Sequence, residues 1–406
     1  MKFLFAPDSF KGSFTSKEII KLLSVVAKTE FPDCEIIGVP IADGGEGTVD
    51  TVIGIVHGRY RTINVKGPLG ETVAATYGVM NDDTAIIEMA AASGLTLVPL
   101  EQRNPLYTTS YGTGQLILDA LTCGYTNINI AIGGSATNDG GIGAMKAMGV
   151  CFLDKDGNQL EGFGSDLDKI AHIDISGIST LVEKANFTVM CDVTNPLVGP
   201  EGATYIFGPQ KGAGEKELEI LETGMNNYVR IIENIFGVLV RDMKGAGAAG
   251  GLGAALCVFL NAKLQSGIQT MLDLIKFNEL LIGVDLVITG EGMIDHQSTY
   301  GKVPCGIGMR CKEKHVPVVA IVGSIGENAS DIYKYGVNSI ISTVSKPMDI
   351  SEALKNAEFY FNDAAERLFK FIKIGIGIRF GPRPNGIKKS SQITVKPFCL
   401  LPILKS

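Results

Sequence analysis

The sequence is poor in charged residues and has no cationic region. Charged residues make up 19% of its 406 residues, and the formal net charge is -7. Neither this total nor any long Lys/Arg run supplies the positive surface that nucleic acids or anionic membranes require. Both classes of partner are therefore excluded, and a small-molecule partner is expected.

Patterns for zinc binding, disulfides and membrane insertion are also lacking. Eight cysteines are scattered without a CxxC pair, and four histidines are isolated from one another. The apolar run from Phe3 to Ala6 is too short for a signal peptide, and no stretch reaches the roughly 20 apolar residues of a membrane span. These absences predict a protein of the reducing cytoplasm.

Glycine is abundant instead. Fifty glycines fall in short clusters between apolar runs, and hydrophobic residues make up 45% of the chain. Such clusters are typical of tight turns at which the backbone approaches a ligand closely. The length favours two domains, each with its own core.

The order of patterns along the chain predicts that one domain is inserted into another. Short apolar strands alternate with helical patterns at both ends, whereas Ile63 to Val79 alternates like an antiparallel hairpin. We expect residues 1–60 and 280–373 to form one mainly parallel sheet, in which residues 3–6 and 285–289 take part, and residues 61–279 to form an inserted α/β domain.

The end of the chain has a different composition. A helix is predicted to begin at Ser351 and to end near Lys373. Residues 374–406 are rich in Gly, Pro, Lys and Ser, and they are predicted to form a loosely ordered tail.

The most informative stretch is the glycine-rich turn at residues 133–141, GGSATNDGG. An apolar run precedes it and a helical pattern follows, so it reads as a strand-to-helix turn. Gly134, Ser135, Asn138 and Asp139 would then present polar groups and backbone N–H groups to an anion such as a phosphate or a carboxylate. The alternative is a structural turn with Asn or Asp as the N-cap.

Two further glycine clusters repeat this chemistry. Residues 42–48 place Asp43, Gly44 and Gly45 at the start of a helix. Residues 245–250 match GxGxxG, but Arg241 to Lys244 rather than an apolar strand precede them, so the match is weak as a dinucleotide site. A phosphate-binding loop that includes Gly247 and Gly250 and a close-packed turn both remain open. No GxxxxGK[ST] sequence indicates a P-loop.

A few charged residues stand next to these turns. Glu291 and Asp295 follow an apolar strand, where they either bind Mg²⁺ or cap the next helix. Asp192 is either a base or metal ligand or a turn-capping residue. Lys11 and Lys211 either neutralise phosphate or lie on the solvated surface.

With these residues in view, the sequence resembles bacterial glycerate kinases of the type that includes glycerate 2-kinases. The resemblance runs from Met1 to about Lys373 and rests on nine motifs in order. They are PDSFKGS at 7–13, ADGGEGT at 42–48, EMAAASGL at 88–95, SYGTG at 110–114, GGSATNDGG at 133–141, CDVTNPL at 191–197, FGPQKGA at 207–213, GAGAAGGLG at 245–253 and GEGMIDHQ at 290–297.

This resemblance implies a two-domain α/β enzyme that phosphorylates D-glycerate with ATP and Mg²⁺ in the cleft between its domains. The discontinuous domain would be flavodoxin-like or Rossmann-like, and the inserted domain would have the α/β fold specific to glycerate kinases. A homodimer is compatible with it. The product is expected to be 2-phospho-D-glycerate. The alternatives are a 3-phosphoglycerate-forming kinase, a phosphate-ester isomerase and a metabolite sensor.

The predicted site combines the turns with the charged residues. We expect Asp192, Asp295 and Lys11 to be catalytic, and Asp192, Glu291 and Asp295 to bind the metal. The predicted substrate and nucleotide contacts are Ser9, Asp43, Gly44, Gly45, Gly134, Ser135, Asn138, Asp139, Lys211, Gly247 and Gly250. Phosphoryl transfer needs such parts, because it depends on neutralising and positioning phosphates more than on covalent chemistry.

Overall fold

The computed structural model describes residues 1–10, 12–42, 45, 47–295 and 301–380, with side chains up to residue 376. Lys11, Asp43 and Gly44, which the sequence predicts to contact substrates, lie outside the described residues. Most of the described strands belong to two sheets with helices packed against them.

The first sheet is parallel and is built from both ends of the chain. Its strands are β1 (Lys2–Pro7), β2 (Glu35–Gly38), β11 (Leu286–Ile294), β12 (Val318–Ile325) and β13 (Ser339–Ser342). They lie side by side in the order β13-β12-β11-β1-β2. Numbered within this sheet alone, the order is 2-1-3-4-5, which is the order of flavodoxin-like domains.

The central strand β1 shows why this sheet forms from such short apolar runs. Phe3 and Phe5 pack into a core on one face, and Leu4 and Ala6 pack into a core on the other. A parallel strand covered on both faces reads as an uninterrupted apolar run. Phe3 pairs with Leu286 in β11, so the prediction that residues 3–6 and 285–289 share a sheet is confirmed.

The second sheet is mixed. Its strands are β3 (Arg59–Lys66), β4 (Thr72–Val79), β5 (Thr84–Glu88), β6 (Asn127–Ala131), β9 (Asn186–Met190) and β10 (Lys263–Gln265), in the order β10-β9-β6-β5-β4-β3. β3 and β4 form the predicted antiparallel hairpin, whereas the strands from β5 to β10 are parallel to one another. β7 (Cys151–Leu153) and β8 (His172–Asp174) form a separate antiparallel pair.

Helices connect these strands. They are α1 (Ser16–Glu30), α2 (Thr48–Val56), α3 (Ala90–Ser93), α4 (Tyr111–Thr122), α5 (Ile142–Ala147), α6 (Ala203–Phe207), α7 (Glu215–Phe236), α8 (Leu252–Leu260), α9 (Gly267–Leu274), α10 (Phe277–Leu280), α11 (Val303–Glu313), α12 (Ile350–Lys355) and α13 (Ala357–Phe380). Within the described residues, no helix combines the length and the apolar character that a bilayer crossing requires.

The two sheets share a hydrophobic core. Leu4 from the first sheet, Ile86 and Met190 from the second, and Met271 from α9 belong to one cluster of buried side chains. The mixed α/β fold with parallel-sheet domains agrees with the predicted fold class. The boundaries at residues 60 and 280 remain a proposal, which the start of β3 at Arg59 supports.

The predicted helix near the end of the chain differs from the observed one in two ways. It is interrupted at Asn356, so that α12 and α13 are separate helices, and α13 continues to Phe380 rather than ending near Lys373. The prediction of a loose tail is therefore wrong for residues 374–380. Glycine weakens a helix by about 1 kcal/mol without ending it, and the next proline is Pro382.

Candidate functional site

The glycine-rich turn at residues 133–141 lies between β6 and α5, as predicted. Asp139 holds it together, because its fully buried carboxylate accepts hydrogen bonds from the backbone N–H groups of Ser110, Gly141 and Gly143 and from the Ser110 hydroxyl, at 2.7 to 3.3 Å. Burial raises the pKa of Asp139, and these four donors oppose that rise. Gly140 and Gly141 take positive φ angles that suit glycine.

Lys211 reaches this turn from a distant part of the chain. It ends a short 3-10 turn, Pro209–Lys211, and its side chain is only 2% exposed. Its Nζ donates to the Ser135 hydroxyl at 2.8 Å and to the Thr137 carbonyl oxygen at 2.7 Å. Burial lowers the pKa of Lys211 to about 7, although the negative charge of Asp139 acts in the opposite direction. The alternative of a solvated surface lysine is therefore wrong.

A cavity of about 410 Å³, which we call the turn cavity, opens beside this lysine. Its lining includes five residues that the sequence predicts for the site, namely Gly45, Gly134, Ser135, Asp192 and Lys211. The structure therefore brings together residues from four segments that are far apart in the sequence, three of which contain glycine. A buried cation and a glycine-rich backbone suit a small anion.

Asp192 is held in a fixed orientation at this cavity. It follows β9, and its Oδ1 accepts hydrogen bonds from the Ser266 hydroxyl at 3.0 Å and from the Gly267 N–H at the start of α9 at 2.9 Å. On its other side, a Cβ atom placed on Gly301 would lie 2.9 Å from the same oxygen. Asp192 therefore lies where the second sheet meets the loop that follows β11.

A second cavity, of about 620 Å³, lies at the carboxyl ends of the strands of the first sheet, and we call it the sheet-edge cavity. Ser9 and Glu291, both predicted site residues, line it together with Asp8 and Lys302. Asp8 and Glu291 are neighbours, because each follows a residue of the paired positions Pro7 and Gly290. The Lys302 Nζ lies 3.5 Å from the Glu291 Oε2, so this acidic edge is partly neutralised.

Sequence reasoning missed Asp8 and Lys302. Asp8 stands directly after the first apolar strand and inside the PDSFKGS motif, so a search for carboxylates at strand ends would have found it. Lys302 has no such signal, because no glycine cluster or strand end in the sequence marks it as a partner of Glu291.

The GxGxxG segment is a close-packed turn. A Cβ atom on Gly250 would collide with the carbonyl oxygen of Thr137, and one on Gly247 would collide with that of Pro196. Gly250 is thus required for packing against the glycine-rich turn at residues 133–141. Of the two alternatives left open, packing accounts for Gly247 and Gly250, and it is Ala248 and Ala249 that line the turn cavity.

Three other predicted residues do not belong to the described lining of either cavity. Asn138 is buried and donates to the Thr204 hydroxyl at 3.1 Å, and Asp139 lies behind the turn as described. Asp295 directly follows β11 and is half-buried. A Cβ atom placed on Gly326 would lie 2.9 Å from the Cβ of Asp295. Asn138 and Asp139 support the turn from behind, and the roles predicted for all three remain predictions.

Across the described residues, no group of three or more His, Cys, Asp or Glu side chains could enclose a metal ion. Mg²⁺ is usually held by one or two carboxylates together with phosphate oxygens and water, however. Asp8 and Glu291, which are adjacent in the register of β1 and β11 and line the same cavity, provide two carboxylates of this kind.

Fold and site together define a class of protein. A flavodoxin-like sheet with an acidic edge, next to a glycine-rich turn with a buried lysine, provides the parts that a small-molecule phosphotransferase uses to hold an anionic acceptor and phosphates.

Comparison with known proteins gives the family. A model described as the glycerate kinase family matches residues 3–373. Glycerate 2-kinase of Escherichia coli is 45% identical over 377 residues, which cover 93% of this chain and 99% of that protein. Glycerate kinase of Bacillus subtilis is 43% identical over 375 residues, which cover 92% and 98%. The chain therefore belongs to the glycerate kinase family, and it is an enzyme that transfers a phosphoryl group to an alcohol.

A solved structure agrees with this assignment. The crystal structure of a candidate glycerate kinase 2 from Salmonella typhimurium LT2 matches with a TM-score of 0.81 and 42% sequence identity, covering 93% of this chain and 99% of that one. The resemblance expected from the nine motifs is confirmed.

Proposed function

We propose that this enzyme phosphorylates D-glycerate with ATP and forms 2-phospho-D-glycerate. The observation that carries the proposal is the buried ammonium group of Lys211 at the glycine-rich turn, which lines the same cavity as Asp192. The name glycerate 2-kinase of a relative that is 45% identical supports the regiochemistry. A cytoplasmic location and a homodimer remain predictions.

Glycerate fits the turn cavity chemically. The Lys211 ammonium group has three N–H groups, and it donates two of them to Ser135 and Thr137. Among the described residues, the third N–H is left for a ligand. We assign the glycerate carboxylate to this N–H and to the backbone of Gly134 and Ser135. Asp192 then acts as the base toward the hydroxyl that is phosphorylated, and the hydrogen bonds from Ser266 and Gly267 hold its carboxylate in place.

Mg²⁺ would be held by Glu291 and Asp8, with phosphate oxygens completing its coordination. When bound, it would supply positive charge that offsets the charge of the transferred phosphoryl group. Lys302 lies beside Glu291 and would contribute to the same neutralisation. The metal-binding roles predicted for Asp192 and Asp295, the catalytic roles predicted for Asp295 and Lys11 and the contacts predicted for Asp43 and Gly44 remain predictions.

The base assignment predicts the effect of a single substitution. Asp192→Asn keeps the shape and the hydrogen-bond acceptor for Ser266 but removes the charge, so we expect kcat to fall by about 10²-fold or more with an unchanged melting temperature. Steady-state kinetics with both substrates measure this. Glu279→Gln, at an exposed position of α10, is the matched control. Normal turnover by Asp192→Asn would return Asp192 to a turn-capping role.

One experiment tests the reaction as a whole. The purified protein is incubated with D-glycerate, ATP and Mg²⁺, and the products are followed by phosphorus NMR. We expect ADP and a 2-phosphate resonance. A 3-phosphate resonance would contradict the regiochemistry, and turnover of phosphoglycerate without ATP would identify an isomerase. Glycerate binding without any turnover would identify a metabolite sensor.

A further inference from the structure

The sheet-edge cavity has two chemically different walls. The wall at the strand ends is polar and carries Asp8, Glu291 and Lys302. Another part of the lining is apolar and includes Phe10, Phe14, Leu354 and Met348, and we call it the apolar wall. Phe361 fixes both phenylalanines through edge-to-face ring contacts, with centroids 5.8 Å from Phe10 and 5.9 Å from Phe14. One half of the cavity therefore suits a flat apolar group.

Glycerate does not fit this apolar wall. Each of its carbons carries an oxygen, so burial against Phe14 and Leu354 would leave polar groups without hydrogen bonds at a cost of about 1–3 kcal/mol each. An adenine ring has two faces that stack on or pack against aromatic and aliphatic side chains. The volume of about 620 Å³ also lies within the range of pockets that bind molecules larger than a three-carbon acid.

The position of the cavity in the fold points to the same ligand. It lies outside the carboxyl ends of β1 and β11, between which the strand order of the first sheet reverses. Open parallel sheets bind nucleotide-like ligands in the crevice at this point. The apolar wall comes from the loop after β1, from Met348 and from α12, and a Cβ atom on Gly12 would lie 3.9 Å from the Leu354 Cδ2.

Residues 301 and 302 link residues of the two cavities. Gly301 lies against Asp192 of the turn cavity, whereas Lys302 lines the sheet-edge cavity and pairs with Glu291. A nucleotide whose base lay on the apolar wall would extend its phosphates along Glu291 and Lys302 toward this junction. Its terminal phosphate would then approach the hydroxyl group that Asp192 serves.

We propose that the sheet-edge cavity binds the adenosine part of ATP and that the turn cavity binds glycerate. This division rests on the proposed kinase function. In the transfer, the glycerate oxygen forms the new bond to the γ-phosphorus, the bond from that phosphorus to the β-bridging oxygen breaks, ADP leaves, and the hydroxyl proton goes to Asp192.

A matched pair of substitutions tests this division. Leu354 and Val193 are apolar side chains that are 45% and 38% exposed, and each lines one of the two cavities. Because a carboxylate at position 354 removes an apolar contact of the adenine ring and loses hydration beneath it, Leu354→Asp is expected to raise KM for ATP roughly tenfold and KM for glycerate by less than about twofold. A carboxylate at position 193 instead repels the carboxylate of glycerate. Val193→Asp is expected to do the reverse. The opposite pattern, or equal effects on both substrates, would overturn the assignment.

Direct binding gives a test that does not depend on turnover. The protein has no tryptophan, so Leu354→Trp and Phe207→Trp each create a single fluorescent reporter, one in each cavity. A non-hydrolysable ATP analogue is expected to change the emission of Leu354→Trp, and glycerate that of Phe207→Trp. If each reporter responds to the other ligand, the division is wrong. If the unmodified protein shows no ATP-dependent turnover of glycerate, the proposed function itself fails.

Discussion

At the scale of single residues, Lys211 determines the pH dependence that we expect. Its pKa of about 7 lies well below the ordinary lysine value of 10.5 because the side chain is buried. The ammonium form that binds the glycerate carboxylate is thus lost as the pH rises through 7. A charge-assisted hydrogen bond of about 1.5–3 kcal/mol corresponds to a factor of roughly ten to a hundred. KM for glycerate is therefore expected to rise at least about tenfold between pH 6 and pH 9.

The control for this prediction is Lys211→Arg. Arginine stays charged throughout this pH range, so the rise in KM should disappear even if the variant binds glycerate less tightly overall. KM for ATP in the native protein should show no comparable change. A native KM for glycerate that is flat across this range would contradict the contact between Lys211 and the carboxylate.

The burial of Lys211 also shows where sequence reasoning stops. The turn at residues 133–141 was predictable, because an apolar run, four glycines and polar side chains are all local features. Whether a lysine beside glycine is buried depends on contacts such as that with Ser135, which is 76 positions away in the chain. No periodic pattern encodes that distance.

At the scale of elements, the turn at residues 245–253 is fixed by close packing, and the ligand contacts expected of Gly247 and Gly250 remain predictions. Gly250 and Gly237 have nearly the same φ, 66° and 65°, but only a Cβ atom on Gly250 would collide with a carbonyl oxygen, and nothing lies within 4 Å of one on Gly237. Gly237→Ala should cost about 1 kcal/mol of unfolding free energy, the strain of a positive φ. Gly250→Ala should cost roughly 2 kcal/mol more, because the glycine-rich turn at residues 133–141 must move to make room for the added methyl group.

Urea unfolding of both variants measures this difference in unfolding free energy. Gly237→Ala is the matched control, because it makes the same chemical change at nearly the same φ. Equal losses of unfolding free energy would show that the turn at residues 133–141 shifts at little cost. Packing would then not explain the glycine at position 250, and a ligand contact would become the better explanation. The GxGxxG pattern was an ambiguous predictor, because both roles of glycine need the same residue at the same spacing.

The helix α2 is capped by a residue of the other sheet. Its own N-cap, Gly47, has no side chain to accept a hydrogen bond, and Glu88 at the end of β5 accepts one from the Val49 N–H at 2.7 Å. We expect Glu88→Ala to lower the unfolding free energy by about 0.5–2 kcal/mol, the usual cost of a lost cap. Glu88→Gln retains an acceptor oxygen and should recover most of that loss. Chemical denaturation compares the three proteins.

Most helices and strands were predictable from the sequence, and the exceptions have physical causes. The hairpin of β3 and β4 follows from residue alternation and agrees with prediction. The cap from Glu88 was not predictable, because a strand end and a helix start that are 39 positions apart give no joint signal. The extension of α13 departs from the composition-based prediction because glycine weakens a helix without ending it.

At the scale of the whole molecule, the pairing of the chain ends was predictable and the core shared by the two sheets was not. Matching βα patterns at both ends indicate a common parallel sheet. They say nothing of α9, whose Ile268 and Met271 are buried with Leu4 of one sheet and Ile86 and Met190 of the other. Burial of this shared core therefore stabilises both sheets together.

That shared core predicts that the protein unfolds in a single transition. If α9 and the two sheets stabilise one another, neither sheet region can unfold alone without exposing this cluster to water. Met271 in the shared core and Met145 in the core of the inserted region are both fully buried. Met271→Ala and Met145→Ala are each expected to cost about 2–5 kcal/mol of unfolding free energy and to lower the temperature of the same transition.

Differential scanning calorimetry should show one peak for all three proteins, with equal calorimetric and van't Hoff enthalpies. Two resolved peaks, of which Met145→Ala shifts only one, would mean that the sheets unfold independently and that the apolar contact through α9 contributes little.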